Sequence, residues 1–295
     1  MRRVSWTVAG GRVLGPAPFF VAGIVNVTPD SFSDGGRHLD PRHALSHARR
    51  LLDEGADILD VGGESTRPGA AEVPAAEELA RVLPVVETAS RLAGPQGASA
   101  VVSVDTSKAA VAEKALAAGA AIVNDVSACR SDPGLLDVVA GRRPGYVLMH
   151  RQGTPRTMQA APRYGDVVAE IAAFFEERLS ALVRAGLPED RVVLDPGIGF
   201  GKTLAHNLEI LRRLPEFLYL GRPLYLGLSN KSLWGALLGL PVDRRGEATR
   251  TATALAALRG ASVHRVHEVA QAKAALRLAL ALDPEEPLPP EATEA

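Results

Sequence analysis

The sequence predicts an α/β protein, a closed barrel of eight parallel strands each followed by a helix, and three observations lead there. Short runs rich in Val, Ile and Leu alternate with longer helix-patterned stretches along almost the whole chain. Eight such runs occur, at residues 20–25, 58–61, 101–104, 121–123, 146–149, 192–194, 224–228 and 263–266. Most are apolar at consecutive positions, which is how a parallel strand covered on both faces reads. An open, doubly wound sheet is the alternative, but it usually has fewer strands. A length of 295 residues suits one (β/α)8 TIM barrel with modest insertions.

The elements follow in order. Residues 4–6 and 12–14 flank Gly10-Gly11 and predict a short hairpin that closes the barrel's bottom. Asp40-Pro41 opens the first barrel helix, with Asp40 as cap and Pro41 at the first helical position. Thr106 and Ser107 precede an Ala-rich helix and are its expected caps. Between Gly165 and Ala185, Val168, Ile171, Phe175, Leu179 and Leu182 recur at spacings of three and four, so they share one helix face, and Gly186 and Pro188 end that helix. Residues 1–282 form one domain. The tail, 283–295, is rich in Pro, Glu and Ala without periodicity and reads as disordered.

Composition narrows the function. With 33 basic and 34 acidic residues the net charge is −1, which gives no broad attraction to nucleic acid or an anionic membrane. A single cysteine, Cys129, rules out an internal disulfide and a cysteine-built zinc site, and reads as a small apolar residue after a strand. The first residues have no long apolar run, and no stretch reaches membrane-span length, so a cytoplasmic protein is expected.

Polar chemistry gathers at the end of every predicted strand. Asn26, Glu64, Asp105, Asn124-Asp125, His150, Asp195, Ser229 with Lys231, and Arg265 with His267 follow the eight runs in turn. In a (β/α)8 barrel these ends converge on one face. Helix capping explains Ser, Thr, Asp and Asn there, but has no use for Lys231, Arg265 or His267. Two long Gly-containing loops, 28–36 and 62–69, read as lids over that face, and Phe32 is an aromatic suited to a flat ligand. The glycines of Asp195-Pro-Gly-Ile-Gly-Phe-Gly-Lys202 lack the spacing of a P-loop and read chiefly as turn formers.

These segments resemble the dihydropteroate synthases, which are pterin-binding barrels. Gly23-Ile-Val-Asn-Val-Thr-Pro-Asp-Ser-Phe-Ser-Asp-Gly-Gly36 is similar to that family's first signature and Asp60-Val-Gly-Gly-Glu-Ser-Thr-Arg-Pro-Gly69 to its second. Ser103-Val-Asp-Thr-Ser107, Asn124-Asp125, Leu148-Met-His150, Leu194-Asp-Pro-Gly197, Ser229-Asn-Lys-Ser232 and Arg265-Val-His267 follow in the family's order. The resemblance implies a transferase that joins a pterin diphosphate to p-aminobenzoate in folate biosynthesis, by dissociative substitution at the pterin methylene. It implies a pterin pocket of Asp105, Asn124, Asp195, Lys231 and Arg265. Diphosphate contacts fall to Asn26, Arg67, Arg265 and His267, with Asn26 also ligating Mg2+. A p-aminobenzoate site of Phe32, Thr66, Pro68 and Ser232 follows, and catalytic roles go to Asp105, Asp195, Lys231, Arg265 and His267. Small-molecule substrates are the only partners implied besides a second copy of the chain. For that homodimer the apolar stretches 255–258 and 276–280 suggest an interface.

The sequence departs from the family pattern at Asn230, commonly Arg, at Glu268, where Asp is also common, and at Arg151, where an apolar residue is frequent. Three rivals remain at this point. A pterin-dependent methyltransferase barrel would not need the first loop or the Ser-x-Lys-Ser element. A non-catalytic scaffold would not keep the charged tips. A sugar-phosphate barrel enzyme would have no use for Phe32.

Overall fold

The computed structural model describes residues 1–28, 41–65, 70–94, 97–153, 158 and 161–287. A two-stranded antiparallel hairpin, β1 (Val4–Thr7) with β2 (Val13–Ala17), leads into the barrel. Eight parallel strands then close on themselves: β3 (Phe20–Asn26), β4 (Ile58–Gly62), β5 (Val101–Asp105), β6 (Ile122–Asp125), β7 (Gly145–Met149), β8 (Val192–Asp195), β9 (Leu224–Gly227) and β10 (Ala261–Val266). Sequential neighbours pair throughout, and β10 pairs with β3 to shut the ring. The expected eight runs are these eight strands. Several extend past the apolar run to take in its polar tip, as at Asn26, Asp105 and Asp195.

The outer layer comprises α1 (Pro41–Asp53), α2 (Ala75–Ala89), α3 (Ala109–Ala117), α4 (Gly134–Arg142), α5 (Val167–Ala185), α6 (Leu204–Arg212), α7 (Ser232–Leu238), α8 (Gly246–Ala257) and α9 (Val269–Ala281). Among the described residues that is one helix more than the eight-unit reading, because α7 and α8 both lie between β9 and β10. The five apolar residues expected on one face of α5 are all buried. Its cap is Asp166, which accepts from Val168 N and Ala169 N, and left-handed Gly186 ends it. The caps expected for α3 are corrected. No side chain of its own caps the helix; Thr106 Oγ1 accepts from Lys108 N, before the helix, and Asp132 Oδ2 accepts from Ala109 N across a loop crossing. Pro41 does open α1, while Asp40 lies outside the described residues.

Two apolar cores result from the alternation of strand residues. Outward-facing Val21, Val25, Leu59, Val61, Val102, Val104, Leu148 and Leu194 pack under the helices. Inward-facing Phe20, Ala22, Ile58, Val101, Ile122, Val147, Val193, Tyr225 and Val263 fill the lower lumen, closed from below by Trp6, Val8 and Leu14 of the hairpin region. Trp6 Nε1 donates to Arg191 O at 2.8 Å and pins that plug. The lumen is thus solid at the bottom, and only its upper end is left for chemistry. At the other terminus, the Met1 amino group pairs with Asp283 and Glu286, so the first residues of the expected tail are held against the chain's start. Residues 288–295 lie outside the described residues.

Candidate active site

Successive strand residues point to opposite faces, so only alternate positions reach the lumen. Above the apolar floor, the inward positions change character. β3 ends at Asn26, β4 carries Asp60 and Gly62, β5 Ser103 and Asp105, β6 Asn124, β8 Asp195 and β10 Arg265. Asn26, Gly62, Asp105 and Asn124 run directly across four paired strands in register.

Arg265 ties the ring together. Its Nε donates to Asp60 Oδ2 at 2.6 Å and its Nη2 to Asp105 Oδ2 at 2.7 Å, and Asn124 Nδ2 donates to the same Asp60 oxygen at 3.0 Å. On the far side, Asp195 Oδ1 accepts from Gly197 N at 2.7 Å. Lys231, just before α7, donates through Nζ to Ile198 O and lies 4.6 Å from the centre of the Phe200 ring. His267 Nδ1 meets Ser229 Oγ at 2.8 Å beside this mouth. Asn26 is half-buried at its rim.

Charge is crowded here, and the ionisation follows. Burial pushes the Asp105 carboxyl up to about 7, against the pull of Arg265 and with the push of Asp60 behind it. Asp195 is also raised by burial, opposed by Lys231 and the Gly197 N–H. Burial lowers Lys231 to about 8, although Asp195 resists this. Burial alone would lower Arg265 too, but Asp60 and Asp105 outweigh it and hold its charge firmly. Perturbed groups of both signs around one mouth make this end of the barrel the candidate reactive site.

The glycine-rich segment after β8 is a turn, as read from the sequence. A Cβ at Gly197 (φ +69°) would stand 1.9 Å from His150 O, and one at Gly201 (φ +66°) 2.4 Å from Gln152 O. The chain must be bare there to pass beneath the loop after β7. Lys202 follows, buried, and donates to His150 Nδ1, His150 O and Phe200 O. Burial lowers it to about 7.

Of the predicted site residues, Asp105, Asn124, Asp195, Lys231 and Arg265 meet at one mouth, with Asn26 and His267 at its edge. Ser232 is exposed at the first position of α7. Phe32, Thr66, Arg67 and Pro68 lie outside the described residues.

Three strand-end residues counted with the site face elsewhere. Asp125 follows inward Asn124 and therefore points outward, where it accepts from Ser127 N, Cys129 N and the Tyr146 hydroxyl. Glu64 joins Lys108, which also holds buried Glu78. His150 packs edge-on against Phe174 and is held neutral, its pKa driven down to about 2 by burial, Lys202 and Arg130. Cys129 is buried against the Tyr146 hydroxyl, its thiol pushed up to about 12 by burial and Asp125.

The departures from the family pattern acquire physical settings. Asn230 adopts a left-handed conformation (φ +55°), and its Nδ2 reaches Glu268 Oε1 at 3.4 Å, so two of the three departures touch each other. Arg151 Nη2 donates to Ser131 Oγ at 2.6 Å, and its carbonyl accepts from Arg130. The sequence reading missed Asp60 as a site residue. Its signal was a lone carboxylate inside an apolar strand, two residues before Gly62, hence on the same face as the mouth.

A plugged barrel with three carboxylates, an amide, a lysine and an arginine at its open end has the fold and polar mouth of a (β/α)8-barrel enzyme. Residues 22–267 match the family described as pterin binding enzyme. The dihydropteroate synthase of Escherichia coli (strain K12) is 46% identical over 258 residues, covering 88% of this chain and 89% of that protein. Two solved structures of Xanthomonas albilineans dihydropteroate synthase superpose closely. The one with 4-aminobenzoic acid has a TM-score of 0.85 and 46% identity, covering 95% of this chain and 99% of that one. The one in complex with 7,8-dihydropteroate has a TM-score of 0.83 and 43% identity, with the same coverage. The chain belongs to the pterin-binding enzymes and, within them, to the dihydropteroate synthase family.

Proposed function

We propose that this barrel joins 6-hydroxymethyl-7,8-dihydropterin diphosphate to p-aminobenzoate, releasing diphosphate and 7,8-dihydropteroate. The observation that carries the reading is the ring of Asp105, Asn124, Asp195, Lys231 and Arg265 around one closed-bottomed mouth. A pterin edge alternates donors and acceptors. Asp195 has one oxygen engaged by Gly197 N and the other left to accept from the ring N–H and exocyclic amine. Asn124 donates to Asp60 and retains its carbonyl as an acceptor. Lys231 donates to the ring carbonyl and N5. Arg265 lies against the ring face, as guanidinium does on aromatic surfaces.

Arg265, His267, Asn26 and Arg67 take the diphosphate. Phe32, Thr66, Pro68 and Ser232 take p-aminobenzoate, Ser232 through its hydroxyl at the carboxylate. Among the described residues no group of three or more His, Cys, Asp or Glu is arranged to hold a metal. The donor that fits a divalent ion is the Asn26 amide oxygen, and Mg2+ on phosphates commonly takes few protein ligands. Asn26 would hold such an ion, which would supply positive charge to offset that of the diphosphate.

The route is dissociative. The methylene–oxygen bond breaks, its electron pair leaves with diphosphate, and the cation spreads into the pterin ring. Asp105 and Asp195 lie fixed in a water-poor site where that charge develops, which is where carboxylates are most effective. The p-aminobenzoate nitrogen then bonds to the carbon, and its proton passes to the released diphosphate or to solvent. Incubating the purified protein with pterin diphosphate, p-aminobenzoate and Mg2+ tests the function: pteroate should accumulate, and its absence at every pH from 6 to 9 rejects it. Rapid-quench assay without p-aminobenzoate tests the route. Diphosphate release supports dissociation; strict dependence on p-aminobenzoate favours concerted displacement.

We also infer a homodimer in the cytoplasm. Leu255 and Leu258 at the end of α8 and Leu278 of α9 are 46–60% exposed on two helices that pack on each other, and exposed leucines of this kind suit contact with a second copy. Sedimentation decides it, and a monomer at every micromolar concentration rejects it. No described helix is long and apolar enough to cross a membrane. Cell fractionation checks the compartment.

A further inference from the structure

The carboxylate of Asp60 has no counterpart in the substrate-contact set above, yet it is fully buried and touches two members of that set. One oxygen, Oδ2, accepts from both Asn124 Nδ2 and Arg265 Nε. The other, Oδ1, is buried without a partner among the described residues, and so is Ser103 Oγ at the position paired with Asp60 in strand register. A carboxylate placed only for stability would have both oxygens satisfied, because a half-satisfied buried charge is destabilising against an apolar side chain of like size. Such a departure from local stability is expected where function demands it.

We propose that Asp60 is a positioning residue for the transfer reaction: its single shared oxygen fixes which way Asn124 faces and keeps the Arg265 guanidinium at the mouth when substrate engages Asp105. This rests on the pterin pocket assigned above. The amide of Asn124 can turn over, presenting either its NH2 or its carbonyl to a ligand. With Nδ2 donating to Asp60, the carbonyl is the end turned away from Asp60, so the pocket presents an acceptor to a ring N–H. Arg265 is held at two points, Asp60 through Nε and Asp105 through Nη2. A ligand that recruits Asp105 loosens the second grip. The first remains and leaves Nη1 and Nη2 for an anion.

The test is Asp60→Asn, isosteric but with half its oxygens replaced by a donor. It should raise the pterin diphosphate KM by about tenfold or more, with the p-aminobenzoate KM changed by less than about threefold. The double variant with Asn124→Ala should lose less pterin affinity than the two single losses combined, since Asp60 acts partly through that side chain and partly through Arg265. A wild-type pterin KM in Asp60→Asn overturns the proposal, as does an equal rise in both KM values. If Asn124→Ala itself leaves the pterin KM unchanged, the pocket assignment fails instead. A measurement on the unaltered enzyme covers the case in which Asp60→Asn does not fold. The Arg265 Nε–H and Asn124 amide protons should exchange slowly with solvent, with and without pterin diphosphate bound. Rapid exchange of the Arg265 Nε–H in the bound enzyme overturns the proposal.

Discussion

At the scale of single residues, Arg265 concentrates the site's demands. It must satisfy two buried carboxylates on different strands, keep its charge and still offer a flat face to a ligand. Only a guanidinium does all three, because its donors are fixed in a planar fork. Arg265→Lys keeps the charge, so the fold should survive. A single ammonium cannot span Asp60 and Asp105 at both 2.6 Å and 2.7 Å contacts and also lie on the ring. We expect kcat/KM to fall by about 100-fold, roughly the loss of one or two charge-assisted hydrogen bonds. Steady-state kinetics checks this; a loss below about fivefold contradicts the role given to the fork. The same scale shows a limit of reading sequence. Asp195 was legible because it ends an apolar run, and Lys231 and Arg265 because a cation at or just beyond a strand end has no capping role to explain it. Asp60 was not, because it sits inside the run Ile-Leu-Asp-Val, where apolar neighbours suggest wall rather than site. Its role depends on which neighbours face it across the lumen, and no single strand contains that information.

At the scale of elements, the strands were the most legible part of the chain. A strand buried on both faces must be apolar at consecutive positions, and the runs bounded by polar tips located all eight. The tips were less legible. Asn124 and Asp125 are adjacent, equally polar and at the same strand end, yet alternation sends one to the lumen and the other to the loop around Cys129. Counting from the apolar floor residue Ile122 resolves them, since positions two apart share a face. The division of the β9–β10 crossover into two helices, α7 and α8, escaped because a seven-residue helix carries little periodicity of its own. The turn after β8 yields a sharp contrast between two glycines. Both Gly197 and Gly199 have positive φ, so Ala at either bears a backbone strain of about 1 kcal/mol. At Gly199 the new Cβ meets only the flexible Lys231 side chain at 3.4 Å, while at Gly197 it collides with the backbone oxygen of His150. Gly197→Ala should therefore cost at least about 3 kcal/mol of stability, against about 1 for Gly199→Ala. Urea unfolding of the two variants measures the difference, and equal losses contradict the packing described for this turn.

For the molecule as a whole, a barrel that gathers charge at its open end does so against its own stability. Asp105 shows this most directly. Its carboxyl is pushed up to about 7 in the folded chain from an ordinary value near 3.8, chiefly by burial. Below about pH 4 both folded and unfolded chains carry the proton, and the group has no effect on the balance. As pH rises toward 7 the unfolded chain releases its proton readily and the folded chain does not, so the stability contributed by protonated Asp105 is progressively lost. His150 works in the opposite sense. Held neutral with its pKa near 2, it withdraws stability as pH falls below its ordinary 6.5. The substrate-free protein should thus be most stable in a mildly acidic to neutral window. Asp105→Asn isolates one side of that balance, since the amide mimics the protonated carboxyl. Its unfolding free energy should match the wild type near pH 4 and exceed it increasingly up to pH 8, by a margin on the order of a few kcal/mol, with Tm rising in step, while catalysis is lost. Calorimetry across that range measures the gap. A wild-type protein that is the more stable of the two at pH 8 would mean that Arg265 fully repays the burial of Asp105, and that the site's charges were never held at the expense of the fold.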